Sequence, residues 1–351
     1  MQAVILVGGE GRRLRPLTDT KPKPMMRLVD RPFVEHQLDH LRRFGVDHVV
    51  FSCGYMPQAL VDHFGDGSRV GVRLSYVVDP EPLGTGGAIK NAESELDPSA
   101  RLLVLNGDVL TDLDLAALVS RHEACGVSGT LALTPVDDPS RYGLVRLHGD
   151  GRVEEFVEKP TDDELRPGEP FTINAGTYLF EPSVLAAIPA GQASSIERDV
   201  FPVLAAAGRL AGFPSSAYWR DIGTPESYLE AHIDVLSGIV ETDSPTGDRH
   251  LDEGAEVAEG AEVAGHSCVG SRTVVETGAR ITASVVGAGC VVRSGAVVAD
   301  AILGDRVEIG SGAVVGRGVV IGDGAVIGDR VRLADVTVGT GERVTASPVR
   351  S

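Results

Sequence analysis

Aromatic residues are scarce: one Trp, six Tyr and nine Phe make up 5% of 351 residues. A core with so few rings must be built mostly from Val, Ile, Leu and Ala, and 43 glycines point to many tight turns. Cysteine is nearly absent. Cys53, Cys125, Cys268 and Cys290 lie far apart and form no Cys-x-x-Cys pair, so neither a disulfide framework nor a zinc site is indicated. Positive charge is in deficit, with 32 Lys and Arg against 50 Asp and Glu and a formal net charge of −18. Such a surface is a poor partner for nucleic acid and for an anionic membrane. Any phosphate chemistry must therefore rest on a few locally placed cations. No apolar run approaches the ~20 residues of a membrane span. The opening run Gln2–Val7 is too short for a signal peptide and has no basic leader. These absences point to a reduced, cytoplasmic protein.

The length suits two domains. Strand-like runs fall at Ala3–Val7, His48–Ser52, Arg73–Val78, Arg101–Leu105, Gly129–Thr134 and Thr172–Phe180. Helical patterns fall at Phe33–Phe44, Gln58–Phe64, Leu113–Ala124 and Arg198–Ala207. Their alternation predicts an α/β fold, a Rossmann-like, mainly parallel sheet with helices on both faces. Ligands of such sheets bind beyond the carboxyl ends of the strands, so the residues after each strand are the first to consider. A last helix is predicted over Pro225–Ile239, with Thr224 as N-cap and Pro at the next position.

After residue 240 the pattern changes. Residues 241–254 are polar and turn-rich and read as a linker. Leu303, Ile309, Val315, Ile321, Ile327 and Leu333 then recur every six residues, the first five each followed by Gly. Earlier registers run Val257, Val263, Val269, Val275, Ile281 and then Val286, Val292, Val298, with two one-residue slips between registers. An apolar hexad beside Gly is the signature of a left-handed parallel β-helix, in which each hexad forms one face of a triangular coil. The expected organisation is a catalytic domain over 1–240, the linker, the hexapeptide-repeat domain over 255–340 and a tail over 341–351.

The chemistry concentrates after the first strand, in Gly8-Gly-Glu-Gly-Arg-Arg-Leu-Arg-Pro-Leu-Thr18 and Lys21-Pro-Lys-Pro-Met25. A Gly-rich loop at a strand end offers backbone N–H groups to phosphate oxygens. It is not a P-loop, because no Lys-Ser or Lys-Thr closes it. Nor is it the dinucleotide fingerprint, because Leu14 stands where the third Gly belongs. Arg12, Arg13, Arg15, Lys21 and Lys23 cluster here instead, and a basic turn in so acidic a chain reads as a polyphosphate cradle. Taken as a charge run alone, it would usually be a solvated turn.

This loop resembles the signature of the sugar nucleotidylyltransferases. Six further blocks match that family in order: Pro82–Gly87, Leu105–Asp108, Tyr142-Gly143, Phe156–Pro160, Ile173–Gly176 and Trp219–Gly223. The resemblance covers about residues 1–235, and hexad domains are a common appendage in the family. It implies transfer of a nucleotidyl group from an NTP to a sugar 1-phosphate, with in-line attack on the α-phosphate and loss of pyrophosphate. It implies Mg²⁺ held by Asp108 and Asp221, each of which taken singly also fits a turn or capping aspartate. It further implies that Arg13 and Lys23 grip the triphosphate, with Gly8, Gly9, Gly11, Arg12, Gly84 and Thr85 around the nucleotide. Lys159 is implied at the sugar phosphate, and Gly143, Glu158 and Asn174 at the sugar hydroxyls.

The family's base-reading position is Asp79. Guanine offers two adjacent donors that suit a carboxylate, whereas uracil and thymine suit an amide. Asp79 therefore points to GTP, although before Pro80 it also fits a turn. Pro22-Lys23-Pro24, Leu105-Asn106 and Ser195–Pro202 resemble the mannose-1-phosphate guanylyltransferase branch. Gly107 departs from it, standing where several guanylyl relatives carry Ser. Uridylyl or thymidylyl transfer to glucose 1-phosphate or a related hexose or cyclitol phosphate is the alternative substrate pair. A non-catalytic regulatory subunit would show decay of Asp108, Asp221, Arg13 or Lys23, and all four are present. An acyltransferase on the hexad domain would need a base, and His266 is the one histidine there. Assembly into a homo-oligomer is the better expectation for that domain, since a repeat coil has open ends and flat faces.

Overall fold

The computed structural model describes residues 1–79, 81–166 and 168–347, so the last four residues of the expected tail lie outside the described residues. Two compact units result. One comprises Met1–Gly9 with Gln37–Trp219, and the other comprises Glu10–His36 with the chain from Arg220 onward.

The first unit is built on a nine-stranded sheet. Its strands are β1 (Gln2–Val7), β2 (His48–Cys53), β3 (Arg73–Val78), β4 (Leu102–Asn106), β5 (Gly129–Val136), β6 (Gly143–Leu147), β7 (Val153–Glu158), β8 (Phe171–Phe180) and β9 (Leu210–Pro214). The order is β7-β6-β8-β4-β1-β2-β3, with β5 paired to both β8 and β9. The core is parallel: Val4 of β1 lies between Val50 of β2 and Val104 of β4. All six residues of β2 are buried, as expected of a parallel strand covered on both faces. The sheet becomes mixed beyond β4, because β8 runs antiparallel to β4, β5 and β6.

Every strand read from the sequence is present within two residues. β6, β7 and β9 were not foreseen, and β7 reads Val-Glu-Glu-Phe-Val-Glu, where charged positions mask the run. The helices are α1 (Phe33–Arg43), α2 (Pro57–Phe64), α3 (Gly84–Asn91), α4 (Leu115–Cys125), α5 (Pro182–Ala186), α6 (Phe201–Ala206) and α7 (Pro225–Leu236). The helix expected over Arg198–Ala207 is instead a π-turn, Ile196–Val200, leading into α6. Pro202 has no N–H for the carbonyl four residues earlier, so a regular α-helix cannot run through it. Helix α7 begins as expected, with Thr224 Oγ1 accepting from Ser227 N at 3.3 Å. It ends at Leu236 rather than Ile239 because Gly238 turns left-handed, φ 72°.

The second unit holds the repeat. Three parallel sheets of six, six and five short strands wind as a three-faced β-helix, the architecture a left-handed hexad period demands. Val274 pairs with Val291, Val291 with Glu308 and Glu308 with Val326, so successive coils take 17 or 18 residues. One apolar residue per hexad points inward. Val275, Ile281, Val292, Val298, Ile309 and Val315 are all 0% exposed. The two slips fall at corners where Ala283 and Asp300 take φ 46° and 51°. A third slip follows Leu333, where Asp335 takes φ 50°, and the coil runs on to Arg343–Val344. Each shortened corner has one residue fewer to turn through and uses a left-handed residue to do it.

Candidate active site

In the second unit, the loop after β1 turns on Gly11, φ 63°, into a short 3-10 turn over Arg12–Leu14. Leu14 is fully buried and anchors it, and Thr18 Oγ1 donates to Gly11 O at 2.9 Å. A Cβ on Gly11 would lie 3.0 Å from Thr18 Cγ2 and 3.3 Å from Lys23 Cβ, so only Gly fits the fold-back. A second 3-10 turn, Lys23–Met25, buries the stem of Lys23 to 7% exposure. Its Nζ stands 3.7 Å from Asp221 Oδ1, and Arg13 Nη2 stands 4.0 Å from Asp221 Oδ2. A Cβ on Gly223 would meet Arg13 Nη2 at 2.6 Å and Asp221 Oδ1 at 2.8 Å, so that glycine makes room for the ion cluster. The Asp221 backbone carbonyl is held by Ser227 Oγ of α7.

The structure sorts the five cations. Arg13 and Lys23 converge on Asp221. Arg12 donates twice to Glu10, and Arg15 lies 3.6 Å from Glu10 and 3.4 Å from Asp19. Lys21 points to the β-helix, where its Nζ donates to Asp305 Oδ2 at 2.7 Å.

In the first unit, Asp108 sits on the turn directly after β4. Gln37 Nε2 of α1 donates to Asn106 O and Val109 O, both at 2.9 Å, and so clamps both sides of that turn. Gly107 N donates to Leu6 O at 2.9 Å, and a Cβ there would come within 2.5 Å of that same oxygen. Serine at 107 is thus excluded from this backbone path. Gly8 packs against Gly54 of the next βα turn, whose Cβ would lie 2.7 Å from Gly8 O, while Gly9 has open space around it.

Asn174 opens a register shift in β8 that ends at Tyr178. Its Nδ2 donates to Tyr178 Oη at 2.8 Å and its Oδ1 accepts from Gly176 N at 3.0 Å. Gly176, φ 73°, lies where a Cβ would meet Asn106 Nδ2 at 2.7 Å. Trp219 Nε1 donates to the bulged Ala175 O at 2.9 Å, and Tyr142 meets the indole edge-on. Gly143 and Glu158 are neighbours, with Glu158 Oε2 3.1 Å from the position of a Gly143 Cβ. Burial, and then the charge of Glu197, push the Glu158 carboxyl above the usual range. Lys159 follows in the left-handed region, φ 55°, with its N–H on Tyr142 O at 2.9 Å and its ammonium 4.0 Å from Glu158.

Helix α3 carries Gly84 and Thr85. The N–H groups of Gly86 and Gly87 donate to Ser194 O, and a Gly84 Cβ would lie 2.6 Å from that oxygen. These glycines allow the 192–196 segment to cross the helix start. Thr85 Oγ1 donates to Glu197 Oε2 at 2.6 Å and accepts from Ile196 N at 2.9 Å. Asp79 directly follows β3, and its Oδ1 accepts from Asn91 Nδ2 of α3 at 2.8 Å. Burial pushes the Asp79 carboxyl upward, opposed by that hydrogen bond.

Sequence reading gave no role to Gln37, Asn106, Tyr178 or Glu197. Glu197 lies inside the Ser195–Pro202 match, which was its one signal. Gln37, on α1 far from any matched block, had none. His266 holds a β-helix corner at φ 58° with Nδ1 3.0 Å from Gly247 O, a structural place rather than a base's. No helix among the described residues is long and apolar enough to cross a membrane.

A sheet with a parallel core and polar residues after its strands, cations converging on a carboxylate, and an appended hexad coil are the features of a phosphate-handling transferase. Residues 2–238 match the nucleotidyl transferase family model and residues 246–350 match the model described as the GMPPB C-terminal domain. The chain belongs to the nucleotidyl transferase family. It is 40% identical over 286 residues to a mannose-1-phosphate guanylyltransferase of Mycobacterium tuberculosis, covering 80% of this chain and 78% of that one. It is 37% identical over 297 residues to a probable mannose-1-phosphate guanylyltransferase of Arabidopsis thaliana, with 80% of each covered. Among solved structures, HddC from Yersinia pseudotuberculosis complexed with GMP-PN is 32% identical with a TM-score of 0.55, covering 66% of this chain and 97% of that one.

Proposed function

We propose that this chain transfers the guanylyl group of GTP to mannose 1-phosphate, forming GDP-mannose and pyrophosphate. The convergence of Arg13 and Lys23 on Asp221 at the end of the Gly-rich loop is the observation that carries nucleotidyl transfer. The substrate pair rests on the guanylyltransferases to which the chain is similar over most of its length. Asp79, oriented by Asn91, supports guanine, whose two adjacent donors a carboxylate accepts.

In this reading a sugar-phosphate oxygen attacks the α-phosphorus in line as its bond to the α–β bridging oxygen breaks, and pyrophosphate departs. Arg13 and Lys23 neutralise the β- and γ-phosphates and stabilise the charge that develops on the leaving group. Lys159 meets the sugar phosphate, while Glu158, Asn174 and the Gly143 backbone orient the hydroxyls. Asp108 and Asp221 are hard-oxygen donors of the kind Mg²⁺ takes and are the residues that would hold it. Magnesium is usually held by one or two carboxylates together with substrate phosphates and waters, which a pair of aspartates would supply. When bound, the cation supplies charge neutralisation at the α-phosphate.

The test is pyrophosphate release with Mg²⁺ and mannose 1-phosphate, comparing GTP, UTP, dTTP and ATP. GTP is expected to be preferred by at least ~10-fold. Asp108→Asn is expected to lose on the order of 10²–10³ in rate, the usual scale for removing one charge-stabilising group. Faster turnover with UTP or dTTP overturns the guanine assignment. Inactivity with every nucleotide and a panel of sugar phosphates overturns catalysis and leaves a sugar-nucleotide-binding subunit.

A further inference from the structure

Lys23 stands between two sets of contacts with one edge of the β-helix. Upstream, Lys21 Nζ donates to Asp305 Oδ2 at 2.7 Å and Thr20 Oγ1 donates to Asp323 Oδ2 at 2.7 Å. Downstream, Arg27 pairs with Asp252. Asp252, Asp305 and Asp323 all occupy the same kind of corner, following Leu251, Leu303–Gly304 and Ile321–Gly322 of the first β-helix sheet.

The coil itself holds these carboxylates. Asp305 Oδ1 accepts from Ala288 N, and Asp323 Oδ1 accepts from Asp305 N, each at 2.9 Å. Asp252 Oδ2 accepts from Ser271 N at 3.1 Å. Asp305 and Asp323 thus each cap a backbone N–H of a neighbouring coil with Oδ1 and meet the loop with Oδ2, while Asp252 meets Arg27 through both oxygens and His250 Nε2 through Oδ1. The corner glycines make the ladder possible. A Cβ on Gly304 would lie 2.3 Å from Asp323 Oδ1, and one on Gly287 would lie 2.6 Å from Asp305 Oδ1. Burial opposes ionisation of Asp305, but the Lys21 hydrogen bond and charge, with the Ala288 N–H and the Arg306 charge, together hold the carboxyl below its ordinary range. Asp323 is only 4% exposed, so Thr20 reaches a buried, pre-placed acceptor.

From this geometry we infer that the aspartate corner of the β-helix is a positioning surface for the triphosphate-gripping loop. Thr20 and Lys21 on one side and Arg27 on the other pin the backbone that carries Lys23. The Lys23 ammonium is thereby held at Asp221 before substrate arrives. Ordering a lysine beforehand removes an entropic cost that binding would otherwise carry. Lys21 is then a positioning residue and not a phosphate ligand. The inference rests on the reading of Lys23 as a triphosphate ligand.

The experiment uses the full chain, with Asp305→Asn, Lys21→Met, the double variant, Lys21→Arg and Lys23→Met. Asp329→Asn is the control, because that carboxylate caps Ser311 N at a different corner. Each single variant at 21 or 305 is expected to lower kcat/KM for GTP about 5–20-fold while KM for mannose 1-phosphate stays within about twofold, given the anchoring role. The double variant is expected to be no worse than the poorer single, and Lys21→Arg to retain most activity. Asp329→Asn is expected to stay near wild type. Hydrogen exchange is expected to lose protection over 20–27 in Asp305→Asn, with the β-helix amides still protected. If Asp305→Asn does not fold, Lys21→Met removes the same contact from the loop side and gives the answer. Wild-type kcat/KM in the single variants, or losses that add in the double, overturns the inference. Wild-type activity in Lys23→Met overturns the reading of Lys23 itself, and the exchange result still reports whether the corner orders the loop.

Discussion

Lys159 and Glu158 show how residue-scale chemistry is set by environment. A non-glycine residue held left-handed costs on the order of 1 kcal/mol and persists where its surroundings over-determine it. Here Tyr142 O takes the Lys159 N–H and fixes the turn that separates the lysine from Glu158. The Glu158 carboxyl is raised first by burial and then by Glu197. A carboxyl whose folded pKa is raised binds more protons folded than unfolded, so it contributes stability at low pH and loses it as pH rises through the folded pKa. Glu158→Gln is therefore expected to raise the thermal midpoint by about 1–3 °C at pH 7, with the gain vanishing below the ordinary carboxylate range. The same variant is expected to weaken sugar-phosphate turnover about 10-fold or more. Calorimetry at several pH values, together with initial rates, checks both. Neither the left-handed lysine nor the Glu158–Glu197 proximity is legible in the sequence, since each depends on residues brought in from other strands.

Elements meet at α7. His232 is fully buried, with Nε2 3.1 Å from Arg27 O and Nδ1 3.2 Å from Val29 N. The network assigns the proton to Nε2, leaving Nδ1 as the acceptor for Val29 N–H. Burial, then the Arg27 charge, push this imidazole down to about 3. A depressed folded pKa means that its stability is fully present above the unfolded value of about 6.5 and is lost as pH falls toward 3. His232→Phe is expected to cost about 2 kcal/mol at pH 7, or about 4–8 °C in midpoint, by leaving Val29 N–H unpaired. It is also expected to flatten the decline in stability below pH 6.5, which acid titration of the midpoint checks. The pattern of α7 was readable because its cap and its period are local. That its histidine would hold the backbone at 27–29 was not, because two hundred residues separate them.

At the scale of the whole molecule, the repeat and the compact units divide the chain differently. The hexads begin after the polar stretch at 241–254, yet Glu10–His36 and α7 belong to the same unit as the coil. Truncation after residue 245 would strip away the coil against which Tyr228 and His232 are buried and would remove Asp305 and Asp252, the carboxylate partners of Lys21 and Arg27. The fragment 1–245 is expected to be poorly soluble, and where recovered to have lost at least ~10-fold in activity, as a soluble-fraction assay and rates would show. The open faces of the coil are expected to bring copies together, so light scattering should give a mass of at least two chains.

What the sequence determined by itself is whatever has a local period or a local spacing. Strand and helix alternation placed the sheet, the six-residue repeat placed the coil and two of its three slips, and ordered blocks pointed to the strand ends as the place of the chemistry. Each follows from neighbours along the chain, whose geometry is bounded by 2.0, 3.6 or six residues per repeat. What only the tertiary structure decided is the allotment of charge. Five cations stand within twelve residues of one loop, and nothing local distinguishes Lys21 from Lys23. Lys21 meets Asp305 and Lys23 meets Asp221, partners some two hundred or more positions away. Ion pairing depends on distance in space rather than along the chain, and that distance exists only once the loop lies on the coil.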